Sequence, residues 1–316
     1  MITSPYFLQE AGNVQVDPLL NSFVAVKSAK SPLFMELRAE GLFFVRYKKD
    51  GVYVKEQYLA SVRNLYVEAD PGTEVRLYGS VFFVFSCRQN QVTEFYAKDQ
   101  EELQDLALNN NLIKTLDLSE LSDLVNLSVS DNNLTSLILP KAKGLMDVSC
   151  FDNLLTSLDL SGNEDLMYLD CWSNSLVSLN VDGCTNLQRL SCYGNMLQDL
   201  RLGSAAEALQ KLEAQNNRLE GILDFSDYLI LTDLKLQQNL LTGVVLPLYM
   251  EQVTKRAALL YNNPFSSDAE ASELFIENLE TLPAGTTGYS ISINGTQSKD
   301  IQTAAVAKNW KVTIHA

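Results

Sequence analysis

The sequence predicts a repeat solenoid wound around a parallel β-sheet, flanked by a β-rich cap domain over residues 1–74 and a mixed helix–strand cap over residues 266–316. Three observations predict it. Asparagines recur at a fixed interval: Asn90, Asn111, Asn132, Asn153, Asn174 and Asn195 are each 21 residues apart, Asn217 and Asn239 follow at 22, and Asn263 at 24. Four apolar columns keep register with the first eight of them. Outside residues 75–265 the period is lost, and hairpin and helix signals replace it.

Residues 14–74 carry short β-branched and aromatic runs, Val24–Val26, Leu33–Leu37, Leu42–Tyr47 and Val52–Val54. Ser31-Pro32, Glu40-Gly41 and Lys49-Asp50-Gly51 separate them, and an Asp-Gly pair between two such runs reads as a hairpin turn. A small antiparallel β-domain follows from this pattern. It would cover the first coil, because a bare solenoid end exposes both core and an unpaired strand edge.

The coils come next. Five residues before each Asn stand Phe85, Leu106, Leu127, Val148, Leu169, Leu190, Leu212 and Leu234; three before it stand Cys87, Leu108, Val129, Cys150, Cys171, Cys192, Ala214 and Leu236. Two after it come Val92, Ile113, Leu134, Leu155, Leu176, Leu197, Leu219 and Leu241, and five after it Phe95, Leu116, Leu137, Leu158, Leu179, Leu200, Ile222 and Val244. One such coil cannot bury its apolar face alone, whereas stacked coils share a continuous core. Their strands would pair in parallel about 4.8 Å apart. Each Asn falls where the chain turns inward after its strand, so its amide can satisfy backbone groups that a buried turn would leave unpaired. The Asn column therefore reads as a structural ladder.

Beyond the coils, Ala271, Leu274, Phe275 and Leu279 have helical spacing over residues 268–279, with Ser267 or Asp268 as N-cap and Pro283 and Gly285 ending the helix. A strand (Tyr289–Ile293), a helix (Ser298–Lys308) and a strand (Lys311–Ile314) complete the chain.

Composition removes several function classes. The 316 residues hold 24 Lys and Arg against 39 Asp and Glu, a net charge of −15. Such a surface repels phosphate and anionic lipid, which argues against nucleic-acid and membrane-surface binding. No apolar run approaches the ~18 residues of a transmembrane segment. The one histidine, His315, stands next to the last residue, so His-based acid–base, triad or zinc chemistry has no basis. Neither a Gly-rich phosphate loop nor a CxxC pair occurs, and no cofactor or metal is expected. Residues 1–7, Met-Ile-Thr-Ser-Pro-Tyr-Phe, lack a basic segment followed by an apolar one, so no signal peptide is read there.

The unit Leu169-Asp-Cys171-Trp-Ser-Asn174-Ser-Leu176-Val-Ser-Leu179-Asn-Val181 resembles the 21-residue leucine-rich repeat of the internalin J type, in which a Cys replaces one strand Leu and the thiols stack into a ladder. Asn263-Pro-Phe265 with the segment 269–275, and the segment 301–314, are similar to the closing coil, helix and strand of such proteins in gut Bacteroidetes. The resemblance extends over residues 75–316 and less closely over 14–74. It implies a right-handed leucine-rich-repeat solenoid of α/β type with a concave parallel sheet. It also implies a bacterial cell-surface or secreted protein of adhesion type; a cytoplasmic one is the alternative. Where family members often carry an acidic Trp-Gly-Asp-Gly turn, this chain has Tyr47-Lys-Lys-Asp-Gly51.

Cys87, Cys150, Cys171 and Cys192 share one inward column and read as buried small hydrophobes, a structural Cys ladder. Cys184 lies off that ladder and reads as a free loop thiol. The functional signal is on the other side of the strands, since alternating side chains turn the residues one, two and four before each Asn to the concave face. The column two before reads Arg88, Asn109, Ser130, Phe151, Trp172, Tyr193, Gln215, Gln237, placing three aromatic rings on adjacent coils. Exposed rings anchor interfaces, and they also stack on each other across strands. Asp131, Asp152 and Asp170 give this patch a negative rim that favours a basic or neutral partner. The expected function is non-catalytic binding of a protein partner by Phe151, Trp172 and Tyr193, with Asp131, Asp152, Asp170 and Arg88 around them. A glycan ligand on the same stripe, or a scaffold without a ligand, are the alternatives.

Overall fold

The computed structural model describes residues 22–141, 144–247, 255–264, 269–294 and 299–315. The chain forms two compact units, Met1–Pro140 and Lys141–Ala316.

In the first unit, β1 (Phe23–Ser28), β3 (Leu42–Lys49), β4 (Val52–Leu59), β6 (Glu74–Tyr78) and β8 (Val92–Lys98) form an antiparallel sheet in the order β4-β3-β6-β1-β8. The turn at Lys49-Asp50-Gly51 is a two-residue hairpin with Lys49 opposite Val52. Asp50 (φ 51°) and Gly51 (φ 78°) both take the left-handed conformation that this tight turn requires. Against one face of the sheet, Val24, Val26, Phe43, Val45, Val75 and Leu77 are buried. A second sheet begins with β5 (Asn64–Val67) antiparallel to β2 (Leu33–Ala39), and β2 antiparallel to β7 (Phe82–Ser86). From β7 onward the pairing turns parallel: β7 pairs with β9 (Asp105–Ala107), and β9 with β11 (Asn126–Ser128), with Leu106 opposite Leu127, one repeat apart. β10 (Thr115–Asp117) and β12 (Ser136–Ile138) form a short parallel pair in the same coils.

The second unit continues the same grammar. Its parallel sheet runs through β13 (Asp147–Ser149), β14 (Tyr168–Asp170), β16 (Arg189–Ser191), β18 (Lys211–Glu213), β20 (Asp233–Lys235) and β22 (Arg256–Leu259). Val148, Leu169, Leu190, Leu212, Leu234 and Ala258 face one another in register and are all buried. Two shorter parallel pairs accompany it: β15 (Ser178–Asn180) with β17 (Asp199–Arg201), and β19 (Glu220–Asp224) with β21 (Leu240–Val245). After α1 (Ala269–Asn278), β23 (Tyr289–Asn294) joins β22; after α2 (Lys299–Ala307), β24 (Lys311–His315) joins β23, both in parallel. The closing strands thus extend the repeat sheet. The N-cap positions Ser267 and Asp268 lie outside the described residues.

Every residue of the columns five and three before the Asn, and two after it, is buried. The fourth column departs at two places. Leu200 is half-buried, and Ile222 is 51% exposed, contrary to its expected inward position. The cause is the 22-residue coil: the strand register shifts between Gly221 and Ile222, so Leu223 and not Ile222 faces Val244. Cys184 also departs from expectation. It is 1% exposed, in a column with Asn163 and Ala205, which lie 21 residues before and after it and are also buried. Burial pushes its thiol up to about 11, and those of Cys87, Cys150 and Cys192 up to about 12; all five cysteines are free.

Candidate functional site

The turn after each repeat strand fixes what the outer face of the sheet can carry. The residue before each ladder Asn has a positive φ: Gln89, Asn110, Asp131, Asp152, Ser173, Gly194, Asn216 and Gln238 lie between 48° and 64°. Side chains rarely accept this conformation, and Asn, Asp and Gly accept it most readily. Asp131 and Asp152 therefore have a backbone reason for their identity besides their charge.

The ladder amides hold these turns together. Asn174 Oδ1 accepts the Leu155 N–H (2.9 Å) while its Nδ2 donates to the carbonyls of Cys150 (3.0 Å) and Cys171 (3.1 Å). Asn195, Asn217 and Asn239 repeat this arrangement one coil further each time. In the first unit Asn111 and Asn132 do the same, and Asn153 donates to the Cys150 carbonyl in the second. Asn90 meets an antiparallel neighbour and exchanges two hydrogen bonds with the Phe34 backbone. These amides are bonded to the backbone, so their chemistry is structural.

On the outer face, Phe151, Trp172 and Tyr193 follow Cys150, Cys171 and Cys192, and are all half-buried. The rings stack: Phe151 on Trp172 with centroids 4.2 Å apart and planes at 7°, Trp172 on Tyr193 at 5.1 Å and 5°. Both faces of the indole are covered by the neighbouring rings. Burial first, then the carboxylates of Glu213, Asp152 and Asp170, raise the Tyr193 hydroxyl above its ordinary range. Asp170 Oδ1 stands 3.5 Å from Arg189 Nη2 without forming a hydrogen bond. Beside Tyr193 in the same column, Gln215 Oε1 and Gln237 Oε1 are likewise buried acceptors with no donor among the described residues. Asp131 is half-buried and Arg88 exposed; both belong to the first unit, whereas the rings, Asp152 and Asp170 belong to the second.

A charge cluster that the sequence reading missed lies next to the rings. Glu213, 7% exposed, accepts hydrogen bonds from Lys235 Nζ (2.6 Å) and Ser191 Oγ (2.7 Å), and Lys211 Nζ lies 3.1 Å away. Lys211 also pairs with Asp233 at 3.6 Å. The available signal was opposite charge in register: Lys211 faces Asp233 and Glu213 faces Lys235 one coil on. Burial pushes the Glu213 carboxyl up, but the Lys235, Ser191 and Lys211 hydrogen bonds outweigh it and hold the group at about 2. A depressed carboxyl stabilises the fold above its ordinary value of 4.5, and that stabilisation is lost as pH falls from 4.5 towards 2. Glu213→Gln is therefore expected to cost about 2 kcal/mol at neutral pH and to flatten that acid limb in urea melts run across the range. A variant with the wild-type pH profile would refute this role.

Among the described residues, no three His, Cys, Asp or Glu side chains are grouped as a metal ion would require. None of the described helices is long and apolar enough to cross a membrane.

No family model matches the sequence, and no curated protein does. Solved structures do. A leucine-rich-repeat protein of Leptospira interrogans is similar at 24% identity and a TM-score of 0.50, over 69% of this chain and 55% of its own. The chain has the leucine-rich-repeat fold. The functional domain of internalin J from Listeria monocytogenes, which includes a cysteine ladder, is similar at 22% identity and a TM-score of 0.48, over 72% of this chain and 52% of that one. The chain thus spans about half the length of these two leucine-rich-repeat structures.

Proposed function

We propose that this leucine-rich-repeat chain is a non-catalytic recognition module that binds a protein partner through the outer, concave-side face of its parallel sheet, as a bacterial cell-surface or secreted protein. The observation that carries the reading is the three-ring stack. Phe151, Trp172 and Tyr193 form one rigid, half-open apolar ridge across three coils. Rigid aromatic ridges supply contact area at little cost in side-chain freedom, which is what interface anchors need. Asp152 and Asp170 stand close enough to the ridge for their charge to act on Tyr193. These carboxylates favour a basic or neutral surface. Stacking on a sugar needs open ring faces, and the indole has both of its own covered, so a protein suits the ridge better than a glycan.

The double variant Phe151→Ser, Trp172→Ser tests this. It is expected to fold, with its melting temperature lowered by a few degrees through loss of stacking worth about 1–2 kcal/mol. Against an array of surface proteins, any partner retained by the wild type is expected to bind it at least tenfold more weakly. Undiminished retention would overturn the proposal, and a loss seen only on a glycan array would move it to the carbohydrate reading.

A further inference from the structure

The β-rich segment that opens the described chain carries the opposite charge to the rest of the sequence. Residues 22–98 hold eleven Lys and Arg against eight Asp and Glu, a balance of +3 within a chain of −15. Much of that charge stands on the outward face of the five-stranded sheet. Arg46 on β3 lies directly opposite Lys55 on β4 and directly opposite Arg76 on β6, so three cations form one row across three strands. Lys48, two residues along β3, adds a fourth on the same face, opposite Tyr53. Like charges facing each other across a sheet destabilise it, so stability alone does not account for the row.

The cations are held in place by rings. The Arg46 guanidinium lies 4.4 Å from the Tyr53 ring centroid, Lys55 Nζ 4.3 Å from that of Phe44, and the Arg76 guanidinium 4.0 Å from that of Phe23. Ring faces that a nucleobase would need are therefore covered by cations. Arg46, Lys48, Tyr53 and Arg76, with Thr73 and Glu74, line a cleft of about 430 Å³. Glu74 is its one acidic group and bonds Arg76 at 2.8 Å. Arg46 and Lys48 have no acidic partner among the described residues.

The row ends at an open strand. β4 is the edge of the sheet, eight residues long, and pairs only with β3 among the described residues. Val52 and Tyr53 at its start are each 66% exposed, and Leu59 at its end is 62% exposed. An unpaired edge of this length presents the backbone donors and acceptors of every second residue.

We propose that β4 and the Lys55–Arg46–Arg76 row take up an extended acidic polypeptide segment as an added strand. Its backbone would pair with β4, and every second side chain would lie on the same face as Lys55, where a carboxylate meets the cation row. This surface shares no residue with the aromatic ridge, and neither proposal depends on the other.

The probe is a fluorescent peptide of about ten residues alternating Thr and Glu, followed by anisotropy on the full chain at low salt. It is expected to bind, to weaken as salt rises, and to outcompete the Thr-Lys counterpart. Arg46→Glu places an acid between Lys55 and Arg76. It is expected to melt no lower than wild type yet bind the peptide at least tenfold more weakly. Methylating alternate backbone nitrogens of the peptide is expected to abolish binding, because an added strand needs those N–H groups. The Phe151, Trp172 double variant is expected to bind the peptide like wild type. No binding at low salt, equal binding by Arg46→Glu, or equal binding of the methylated peptide would overturn the proposal. Capture of heparin in place of the peptide would also overturn it and reassign the row to a sulfated glycan.

Discussion

Asn195→Asp is expected to destabilise the protein more than Asn195→Ala does, and increasingly so as pH rises above about 4. Asn195 is 8% exposed. Its Oδ1 accepts the Leu176 N–H at 3.0 Å, and its Nδ2 donates to the carbonyls of Cys171 (3.1 Å) and Cys192 (3.0 Å). Alanine leaves the Leu176 N–H unpaired, while the Cys171 and Cys192 carbonyls each keep the amide donation of Asn174 and Asn217. One buried orphan donor and two lost second donations give an expected loss of about 1–3 kcal/mol. Aspartate keeps the acceptor but turns a second oxygen towards two carbonyls, and it brings a buried charge. Its folded pKa must rise above the unfolded value of about 3.9, because both desolvation and the carbonyl dipoles disfavour the anion. A carboxyl with a raised folded pKa binds its proton more tightly in the native state. The variant is therefore least destabilised below about pH 4 and loses stability until the raised pKa is passed. Urea midpoints of the three proteins between pH 4.5 and 8 read this effect away from the acid limb of Glu213, which lies below 4.5. An aspartate variant as stable as wild type, with no pH slope, would refute the ladder's role.

Much of this architecture was legible because a solenoid turns sequence interval into distance. Residues 21 apart become neighbours one strand away, so Val148, Leu169 and Leu190 could be aligned before any coordinate was known, and so could the three rings. Interval does not fix side-chain torsions. The stacking of Phe151, Trp172 and Tyr193, and the covering of both indole faces, depend on rotamers that no spacing reveals. Nor does interval show backbone sign: Asp131 and Asp152 read as charge, while their positive φ makes them turn residues as well. Counting failed where the coil length changed, and one added residue near Gly221 turned Ile222 outward. The cation row of the first unit was out of reach for a different reason. Arg46, Lys55 and Arg76 share no period, and only the antiparallel register of β3, β4 and β6 aligns them.

Arg256 belongs to the same class of residue, invisible to periodicity and decisive in the fold, and its removal is expected to cost about 3–5 kcal/mol. It lies in the longest coil interval, the 24 residues from Asn239 to Asn263, and is only 1% exposed. Its Nε donates to the Leu231 carbonyl (2.8 Å), Nη1 to Pro247 (2.8 Å) and Nη2 to Leu229 (2.9 Å), with the guanidinium 5.4 Å from the Tyr289 ring centroid. The planar fork thus closes the interior end of a coil whose carbonyls have drifted out of the regular ladder. Burial lowers the affinity of Arg256 for its proton, but an arginine stays charged at any pH the fold survives. Replacing a buried charge by an apolar side chain of similar volume is often neutral when its partners are replaced with it. Here the partners are main-chain oxygens, which no substitution removes. Arg256→Met is therefore expected to lose nearly as much as Arg256→Ala, while Arg256→Lys, which keeps one or two of the donations, is expected to lose about half. Thermal and urea unfolding of the three variants rank them. A Met variant as stable as wild type would mean that Arg256 fills space and that its hydrogen bonds contribute nothing net.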